Sequence, residues 1–263
     1  MFEKYEKLKT ILASYERLIV AYSGGVDSSF LLKVAHDVLG DNVLACSIQT
    51  PYIAAWEIND ARCIAETIGV KHSVIERPWL ESIWTNPENR CYLCKHALFS
   101  FLTSFAREKG FDIVAEGSNV DDTYEFRPGR KALEELGIAT PLLEANLTKE
   151  EIRLLSKQLG LSTWNKPSYA CLLTRFRHNE AIEKKALEMV GQAEAYLISL
   201  GYATMRVRYE NNMARIEMPK EDALRFMNDE QFGVMVENLK SFGFSHIMLD
   251  LEGYCYERSY KER

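Results

Sequence analysis

The residues best suited to chemistry form a glycine-rich loop close to the start of the chain. Its two glycines allow the backbone to approach a phosphate closely, and the helix predicted after it offers free N–H groups with partial positive charge. Its serine hydroxyl groups add hydrogen-bond donors, and its aspartate can hold Mg²⁺ or order the loop. A tight turn between a strand and a helix is the alternative interpretation. The loop residues are Ser23, Gly24, Gly25, Val26, Asp27, Ser28 and Ser29.

A second polar segment, with the sequence Gly-Ser-Asn-Val-Asp-Asp, follows another predicted strand. Magnesium in nucleotide sites takes one or two carboxylates together with phosphate oxygens. We predict that Asp27 and Asp122 hold Mg²⁺, and that Gly117, Asn119 and Asp121 line the same phosphate site. The alternative is a polar turn rich in Asn and Asp.

Six cysteines are present, and their irregular spacing in a chain of 263 residues argues against a disulfide scaffold. Lys166 and Arg175 flank Cys171, and their cationic side chains would favour the thiolate form of that cysteine. A buried structural cysteine is the alternative. Cys46 and Cys63 are predicted core residues.

A single C-x-x-C pair, Cys91 and Cys94, leaves three interpretations open. The two cysteines are ordinary residues at the start of a helix, a redox pair that handles sulfur, or part of an iron–sulfur site. One such pair is a weak metal signal by itself. Cys255, near the end of the sequence, keeps the third interpretation open.

Arginines alternate along a short segment in the second half of the chain. Arg206 and Arg208 lie on one face of a predicted strand, because strand side chains alternate with period two. Arg215 on the partner strand can join them. Guanidinium groups on one face suit a phosphate. A salt-bridged surface with Glu210 and Glu217 is the alternative.

The composition argues against several classes of protein. The formal net charge is −6 and no polybasic run occurs, which disfavours nucleic acid as the main partner. No window approaches about 18 uninterrupted apolar residues, so a membrane span is not expected. The charged N-terminal residues are unlike a signal peptide. We therefore predict a cytoplasmic protein with neither a membrane nor a nucleic-acid partner.

The elements that position these residues alternate between strands and helices in the first part of the chain. Apolar runs predict strands at residues 17–22, 43–48, 73–75 and 111–115, and a helix is predicted over 95–109. This alternation indicates an α/β fold with a mainly parallel sheet, whose ligands lie beyond the carboxyl ends of the strands. Ser23, Ser47 and Gly117 follow predicted strand ends, so we expect them to converge there.

The pattern changes near residue 175 and indicates a smaller α+β domain. The elements predicted there are a helix over 180–200, strands near 204–209 and 213–218, a helix to about 240 and a strand over 247–251. The predicted domains are residues 1–174 and residues 175–263.

Neither a Walker sequence nor a dinucleotide fingerprint occurs in the chain. The glycine loop instead resembles the pyrophosphate loop (PP-loop) of the N-type ATP pyrophosphatases. Together with four further motifs and the final apolar segment, it resembles the LarE family of ATP-dependent sacrificial sulfur transferases over nearly the whole chain. The other segments are Asn86–Lys95, Glu116–Asp122, Arg127–Arg130, Lys166–Arg175 and Leu249–Tyr254.

This resemblance implies a PP-loop ATP pyrophosphatase domain followed by a smaller α+β domain. It implies that ATP, with Mg²⁺, adenylates the carboxylates of a pyridinium dicarboxylate mononucleotide. Sulfur then replaces AMP, giving thiocarboxylates for the nickel-pincer nucleotide cofactor. Some relatives of the family use an iron–sulfur cluster held by three cysteines as a recyclable sulfur carrier, and the resemblance does not show which cysteines of this sequence would hold one.

Residue roles follow from the same resemblance. Cys171 matches the sulfur donor and Glu194 a carboxylate near the active site, while Ser47 lies where the superfamily contacts adenine. Arg206 and Arg208 are expected to bind the substrate phosphate. The predicted catalytic residues are Cys171, Asp27, Glu194 and Arg175.

One departure concerns the loop after the nucleophile. The run Arg-Phe-Arg-His-Asn at 175–179 stands where the family commonly has Arg-Ile-Pro-Tyr-Gly, which bears on substrate identity. A tRNA thiolase of the same superfamily and a nucleotide-binding protein without catalysis are the alternative functions. We also predict a homo-oligomer.

Overall fold

The computed structural model of the chain describes residues 1–124 and 128–254. These residues form two compact units. The first comprises Met1–Thr50, Ala55–Leu80 and Asn89–Ser168, and the second comprises Pro51–Ala54, Glu81–Glu88 and the residues from Tyr169 onward. The domain boundary predicted between residues 174 and 175 stays a prediction, because compactness alone does not show that a unit folds independently.

Within the described residues, the first unit is built on a parallel sheet of four strands in the order β3-β2-β1-β4. The strands are β1 (Leu18–Ala21), β2 (Val43–Gln49), β3 (His72–Glu76) and β4 (Ile113–Ala115). The helices are α1 (Phe2–Ala13), α2 (Val26–Leu39), α3 (Ala55–Ile68), α4 (Arg90–Glu108), α5 (Pro128–Glu135), α6 (Pro141–Glu144) and α7 (Lys149–Gln158). The predicted α/β fold with a parallel sheet is confirmed.

The side chains of β1 alternate between two hydrophobic cores, one on each face of the sheet. Leu18 and Val20 pack into a core that includes residues of α1, α2 and α7. Ile19 packs into the opposite core with residues of α4 and α5. All three side chains are fully buried, and burying each such side chain stabilises the fold by about 1.5–3 kcal/mol. A strand buried on both faces explains why its sequence is continuously apolar.

The second unit is a smaller α+β assembly. Its elements are α8 (Lys184–Ser199), β5 (Arg206–Glu210), β6 (Met213–Glu217), α9 (Lys220–Met227), α10 (Phe232–Ser241) and β7 (His246–Leu249). Strand β6 pairs antiparallel with β5 and parallel with β7. The hairpin between β5 and β6 turns through Asn211 and Asn212, whose φ angles of 49° and 65° suit asparagine.

Several elements differ from their predicted bounds. Strand β2 continues to Gln49, one residue past its predicted end, because it pairs with β3 as far as Glu76. Ser47 lies inside this strand, so the expectation that it follows a strand end is wrong. Helix α4 begins at Arg90, five residues before the predicted start at Lys95. The helix predicted to about residue 240 is two helices, α9 and α10.

No helix in the described ranges is long and apolar enough to span a membrane.

Candidate functional site

The glycine loop joins β1 to α2 in a conformation that only glycine fits. Gly24 has a φ of +68°, and a Cβ added to it would lie 2.7 Å from the Cβ of Ala61 on α3. The hydroxyl groups of Ser23 and Ser28 lie 3.0 Å apart and tie the two ends of the loop together. Helix α2 begins after Gly25 without a side-chain cap, so its first N–H groups point into the loop and suit a bound anion.

The end of β4 approaches the same loop. A Cβ added to Gly117 would lie 3.1 Å from the Cβ of Asp27, so the predicted convergence of this segment with the loop is confirmed. The side-chain amide of Asn119 donates to Asp27 Oδ1 at 3.3 Å, and its backbone N–H donates to Asp122 Oδ2 at 2.9 Å. Burial raises the pKa of Asp27, and the charge of Asp122 adds to this rise, while Lys149 opposes it.

These carboxylates provide a donor set that fits Mg²⁺. The oxygens of Asp27 and Asp122 belong to neighbouring, electrostatically coupled groups beside a loop shaped for phosphate. The described residues contain no cluster of three or more His, Cys, Asp or Glu side chains around one point. Magnesium needs no such cluster when phosphate oxygens complete its shell. The roles of the two aspartates as metal ligands stay predictions.

Sequence reasoning missed Lys149, whose side-chain amine forms an ion pair with Asp27. Its backbone N–H donates to Asp121 Oδ2 at 2.5 Å. The signal that could have found it is the capping box that begins α7, in which Thr148 and Glu151 each accept a hydrogen bond from the other's backbone N–H. This box identifies a helix start, and Lys149 is the first residue of that helix.

Lys166, predicted to favour the thiolate of Cys171, belongs to the first unit and pairs with other residues of that unit. Its amine donates to the carbonyl oxygen of Gly24 at 2.8 Å and forms an ion pair with Asp60 on α3. These contacts hold the glycine loop from the side of its backbone carbonyls. Lys166 is therefore a structural partner of the loop.

The side chain of Ser47 is buried and lies within the sheet. Its hydroxyl donates to the carbonyl oxygen of Tyr22 at 2.6 Å and lies 2.7 Å from Nε2 of His72. Burial lowers the pKa of His72, which favours its neutral form. The contact of Ser47 with adenine stays a prediction. Because the hydroxyl group is already engaged, the backbone of this residue would make such a contact.

In the second unit, Arg175 and Glu194 form a buried ion pair. Their side chains are 2% and 3% exposed, and two parallel hydrogen bonds of 2.7 and 3.0 Å join the guanidinium to the carboxylate. Glu194 Oε1 also accepts the backbone N–H of Val207 at 2.9 Å. Both carboxylate oxygens therefore have donors within this unit. The predicted catalytic roles of both residues stay predictions.

Cys171 is partly buried and its backbone is fixed by its neighbours. It precedes a short 3-10 turn, Leu172–Arg175, and its carbonyl oxygen accepts from the backbone and hydroxyl of Thr174 at 3.0 and 2.9 Å. The next N–H, of Leu172, donates to the carbonyl oxygen of Tyr52. A cysteine on a fixed backbone with partial exposure suits a nucleophile.

Arg206 is a buried cation beside other cations. Burial lowers the pKa of its guanidinium, and the charges of Arg175 and Arg208 lower it further. Its guanidinium lies 5.0 Å from the centre of the Tyr254 ring. The charge of Glu194 opposes this lowering, and Arg175 and Arg208 are themselves paired with Glu194 and Glu217, so the phosphate role of Arg206 stays a prediction.

Arg208 and Arg215 are both paired with carboxylates. Arg208 makes two hydrogen bonds of 3.0 Å to the oxygens of the buried Glu217. Arg215 pairs with Glu210 and Asp250 and also reaches Glu217. Burial lowers the pKa of Arg215, but these carboxylates outweigh it and raise the pKa overall. The contacts match the salt-bridge alternative, and the phosphate role of Arg208 stays a prediction.

The remaining cysteines occupy different environments. Cys46 is buried in the sheet, and burial raises the pKa of its thiol to about 12, so it is an inert core residue as predicted. The prediction of a core position for Cys63 is wrong, because it lies on the exposed face of α3. Cys91 is exposed and Cys94 is partly buried. Cys255 and Arg127 lie outside the described residues.

Comparison with known proteins places the chain among PP-loop enzymes. No family model matches the chain. It is 42% identical over 253 residues to an uncharacterised protein of Synechocystis sp., covering 95% of this chain and 94% of that protein. It is 27% identical to the tRNA-specific 2-thiouridylase MnmA of Methylorubrum populi, over 79% of this chain and 71% of that protein.

The deciding relative is the pyridinium-3,5-bisthiocarboxylic acid mononucleotide synthase of Lactiplantibacillus plantarum. It is 35% identical over 256 residues, which cover 95% of this chain and 91% of that protein. The chain belongs to the LarE family. The expected assignment as an ATP-dependent sulfur transferase is therefore confirmed, and the shared length includes both units. The LarE relationship also makes ATP the nucleotide that the enzyme uses, and the glycine loop as its binding site stays a prediction.

Proposed function

We propose that this enzyme adenylates the carboxylates of a pyridinium dicarboxylate mononucleotide and converts them to thiocarboxylates, in the biosynthesis of the nickel-pincer nucleotide cofactor. The observation that carries the proposal is the 35% identity to the Lactiplantibacillus plantarum synthase along 95% of the chain. A glycine loop without a Walker lysine and a partly buried cysteine agree with this chemistry.

In the first half-reaction, the N–H groups at the start of α2 and the serine hydroxyl groups hold the phosphates of ATP. Asp27 and Asp122 would hold Mg²⁺, which supplies positive charge to the phosphate oxygens. A carboxylate oxygen of the substrate attacks the α-phosphorus, and the bond to the β-phosphate oxygen breaks. The products are an acyl-adenylate and pyrophosphate.

In the second half-reaction, the thiolate of Cys171 attacks the carbonyl carbon of the acyl-adenylate and AMP leaves. The product is a thioester between enzyme and substrate. Removal of the Cα proton of residue 171 then breaks the Cβ–S bond. The electron pair of that bond stays on sulfur, so the substrate leaves as a thiocarboxylate and residue 171 becomes dehydroalanine.

Arg206 and Arg208 would bind the phosphate of the mononucleotide. The buried guanidinium of Arg206, close to the charges of Arg175 and Arg208, supports this assignment. Arg208 would keep its hydrogen bonds to Glu217 and contribute charge from the neighbouring position. We further expect a homo-oligomer that acts in the cytoplasm with no nucleic-acid partner.

The proposal is tested by the fate of ATP and of the acceptor. Incubation with Mg²⁺-ATP and the pyridinium dicarboxylate mononucleotide should yield AMP, pyrophosphate and thiocarboxylate, measured by chromatography and mass spectrometry. ADP as the main product would exclude the PP-loop reaction. AMP formed only with tRNA, together with 2-thiouridine in that tRNA, would favour the thiolase alternative to which the MnmA relative points.

A further inference from the structure

Asn86 is a fully buried polar residue of the second unit that no step of the proposed reaction uses. Its side-chain amide nitrogen donates to three backbone carbonyl oxygens, those of Leu173, Phe176 and Arg177, at 3.2, 3.2 and 2.8 Å. Its own backbone carbonyl oxygen accepts the N–H of Asn179 at 3.1 Å. One residue therefore holds the segment that follows the candidate nucleophile, although 87 positions separate it from Leu173.

The segment held by Asn86 fixes the backbone of Cys171. The carbonyl oxygen of Cys171 accepts from Thr174 inside the 3-10 turn Leu172–Arg175. Carbonyl groups at the end of a helical turn have no partners within it. The amide of Asn86 donates at that end, to Phe176, and so keeps the turn in place. Loss of the amide would remove this donor and free the turn to shift.

The backbone conformation of Asn86 allows its side chain and its backbone to be tested separately. Its φ angle is +49°, in the left-handed region that asparagine adopts more readily than most residues. Among the described residues no donor reaches its Oδ1, so the side chain acts only as a donor. Glycine can keep this φ angle without the amide, and aspartate can keep the shape of the side chain without the amide donor.

We propose that Asn86 is a positioning residue that holds Cys171 for attack on the acyl-adenylate, and that adenylation does not depend on it. The assignment rests on the proposed two-step reaction. A misplacement of about 1 Å can slow a reaction by roughly 100-fold. The glycine loop and its carboxylates belong to the other unit, so the loss of Asn86 should affect sulfur transfer alone.

The first test measures both half-reactions of Asn86→Gly in a single turnover with Mg²⁺-ATP and the pyridinium dicarboxylate mononucleotide. Pyrophosphate release should match wild type, while thiocarboxylate formation slows by roughly 10- to 100-fold and acyl-adenylate accumulates. The substrate concentrations that give half-maximal rates should stay unchanged. Asn211→Gly is the matched control, because Asn211 has the same φ angle of 49° in an exposed hairpin turn and should change neither step.

Two outcomes of this test would overturn the proposal. Equal slowing of pyrophosphate release and thiocarboxylate formation would leave Asn86 with a role in folding only. Sulfur transfer at the wild-type rate would show that the turn keeps its position without the amide.

Asn86→Asp separates positioning from folding by its dependence on pH. A carboxylate that faces three carbonyl oxygens has no donor, so its pKa should rise, and its protonated form can donate again. The ratio of variant to wild-type sulfur-transfer rates should therefore increase several-fold between about pH 8 and about pH 6, while the ratio for pyrophosphate release stays constant. Protonation of the Cys171 thiolate affects both proteins alike and cancels in the ratio. A flat ratio, or loss of both half-reactions in both variants, would contradict the proposal.

Failure of this role and failure of the proposed function give different results. Wild-type enzyme that forms no thiocarboxylate disproves the proposed function whatever the variants do. Wild-type enzyme that forms thiocarboxylate while Asn86→Gly transfers sulfur at the same rate disproves only the role of Asn86.

Discussion

At the scale of single residues, burial distinguishes cysteines that are inert from those that can react. Cys46 is buried with a thiol pKa of about 12, whereas Cys171 is partly buried on a backbone held by Thr174. Reactivity of a thiol depends on access and on its thiolate form. This contrast supports Cys171 as the nucleophile, as its sequence context predicts.

Replacing Cys171 should separate the two half-reactions. Cys171→Ala retains the glycine loop and its carboxylates, so it should still release AMP-linked intermediate and pyrophosphate but form no thiocarboxylate. Cys171→Ser should behave alike, because a hydroxyl is a far poorer nucleophile near neutral pH and carries no sulfur. Pyrophosphate release and product mass are the measurements. Thiocarboxylate formation by either variant would show that another group carries the sulfur.

The buried pair of Arg175 and Glu194 gives a prediction about stability. Glu194→Gln leaves a buried guanidinium without its opposing charge, which should lower the free energy of unfolding by about 3–5 kcal/mol. Glu188→Gln is the control, because Glu188 forms an exposed pair with Lys184 on the same helix and should change stability by only ~0.5 kcal/mol. Urea unfolding monitored by circular dichroism measures the free energy of unfolding of both variants. Similar small effects in both would mean that the buried pair contributes little.

At the scale of elements, the sequence predicts those strands and helices whose apolar residues follow a regular pattern. The strands of the first unit are apolar runs buried on both faces, and the glycine loop follows the first of them, so both were predictable. The start of α4 was missed because Arg90–Cys94 carries polar and cysteine residues that obscure helical spacing. The side-chain contacts of Lys149 and Lys166 were not predictable, because they join residues more than 100 positions apart.

The β5–β6 hairpin carries the prediction about substrate phosphate. Arg206→Ala and Arg208→Ala should weaken binding of the mononucleotide by about 1.5–3 kcal/mol while leaving ATP affinity unchanged, since each removes a charge-assisted phosphate contact. Arg225→Ala is the control, because Arg225 is an exposed residue of α9 paired with Asp222. Calorimetric titrations measure both ligands. Normal mononucleotide binding by both hairpin variants would assign them to the salt-bridge network with Glu217.

At the scale of the whole molecule, the identity to the Lactiplantibacillus plantarum synthase extends along both units and not only along the glycine loop. The MnmA relative covers a smaller share of the chain. Similarity along the full length of the chain is therefore stronger evidence for the acceptor substrate than the glycine loop, which the whole superfamily shares. Cys91 is exposed and Cys94 is partly buried, so an experiment must distinguish them from Cys171 and answer which cysteine supplies the sulfur.

A single-turnover experiment on the intact protein answers that question. Wild-type enzyme given Mg²⁺-ATP and acceptor without a sulfur source should stop after one sulfur per active site and lose the mass of one H₂S. Peptide mapping should find dehydroalanine at residue 171, and an added thiol should convert it to an adduct. Cys63→Ser is the control, since this exposed cysteine on α3 is not among the predicted site residues and its loss should change nothing. An unmodified Cys171 beside thiolated product, with turnover sustained by sulfide, would instead indicate a recyclable carrier and leave the adenylation step intact.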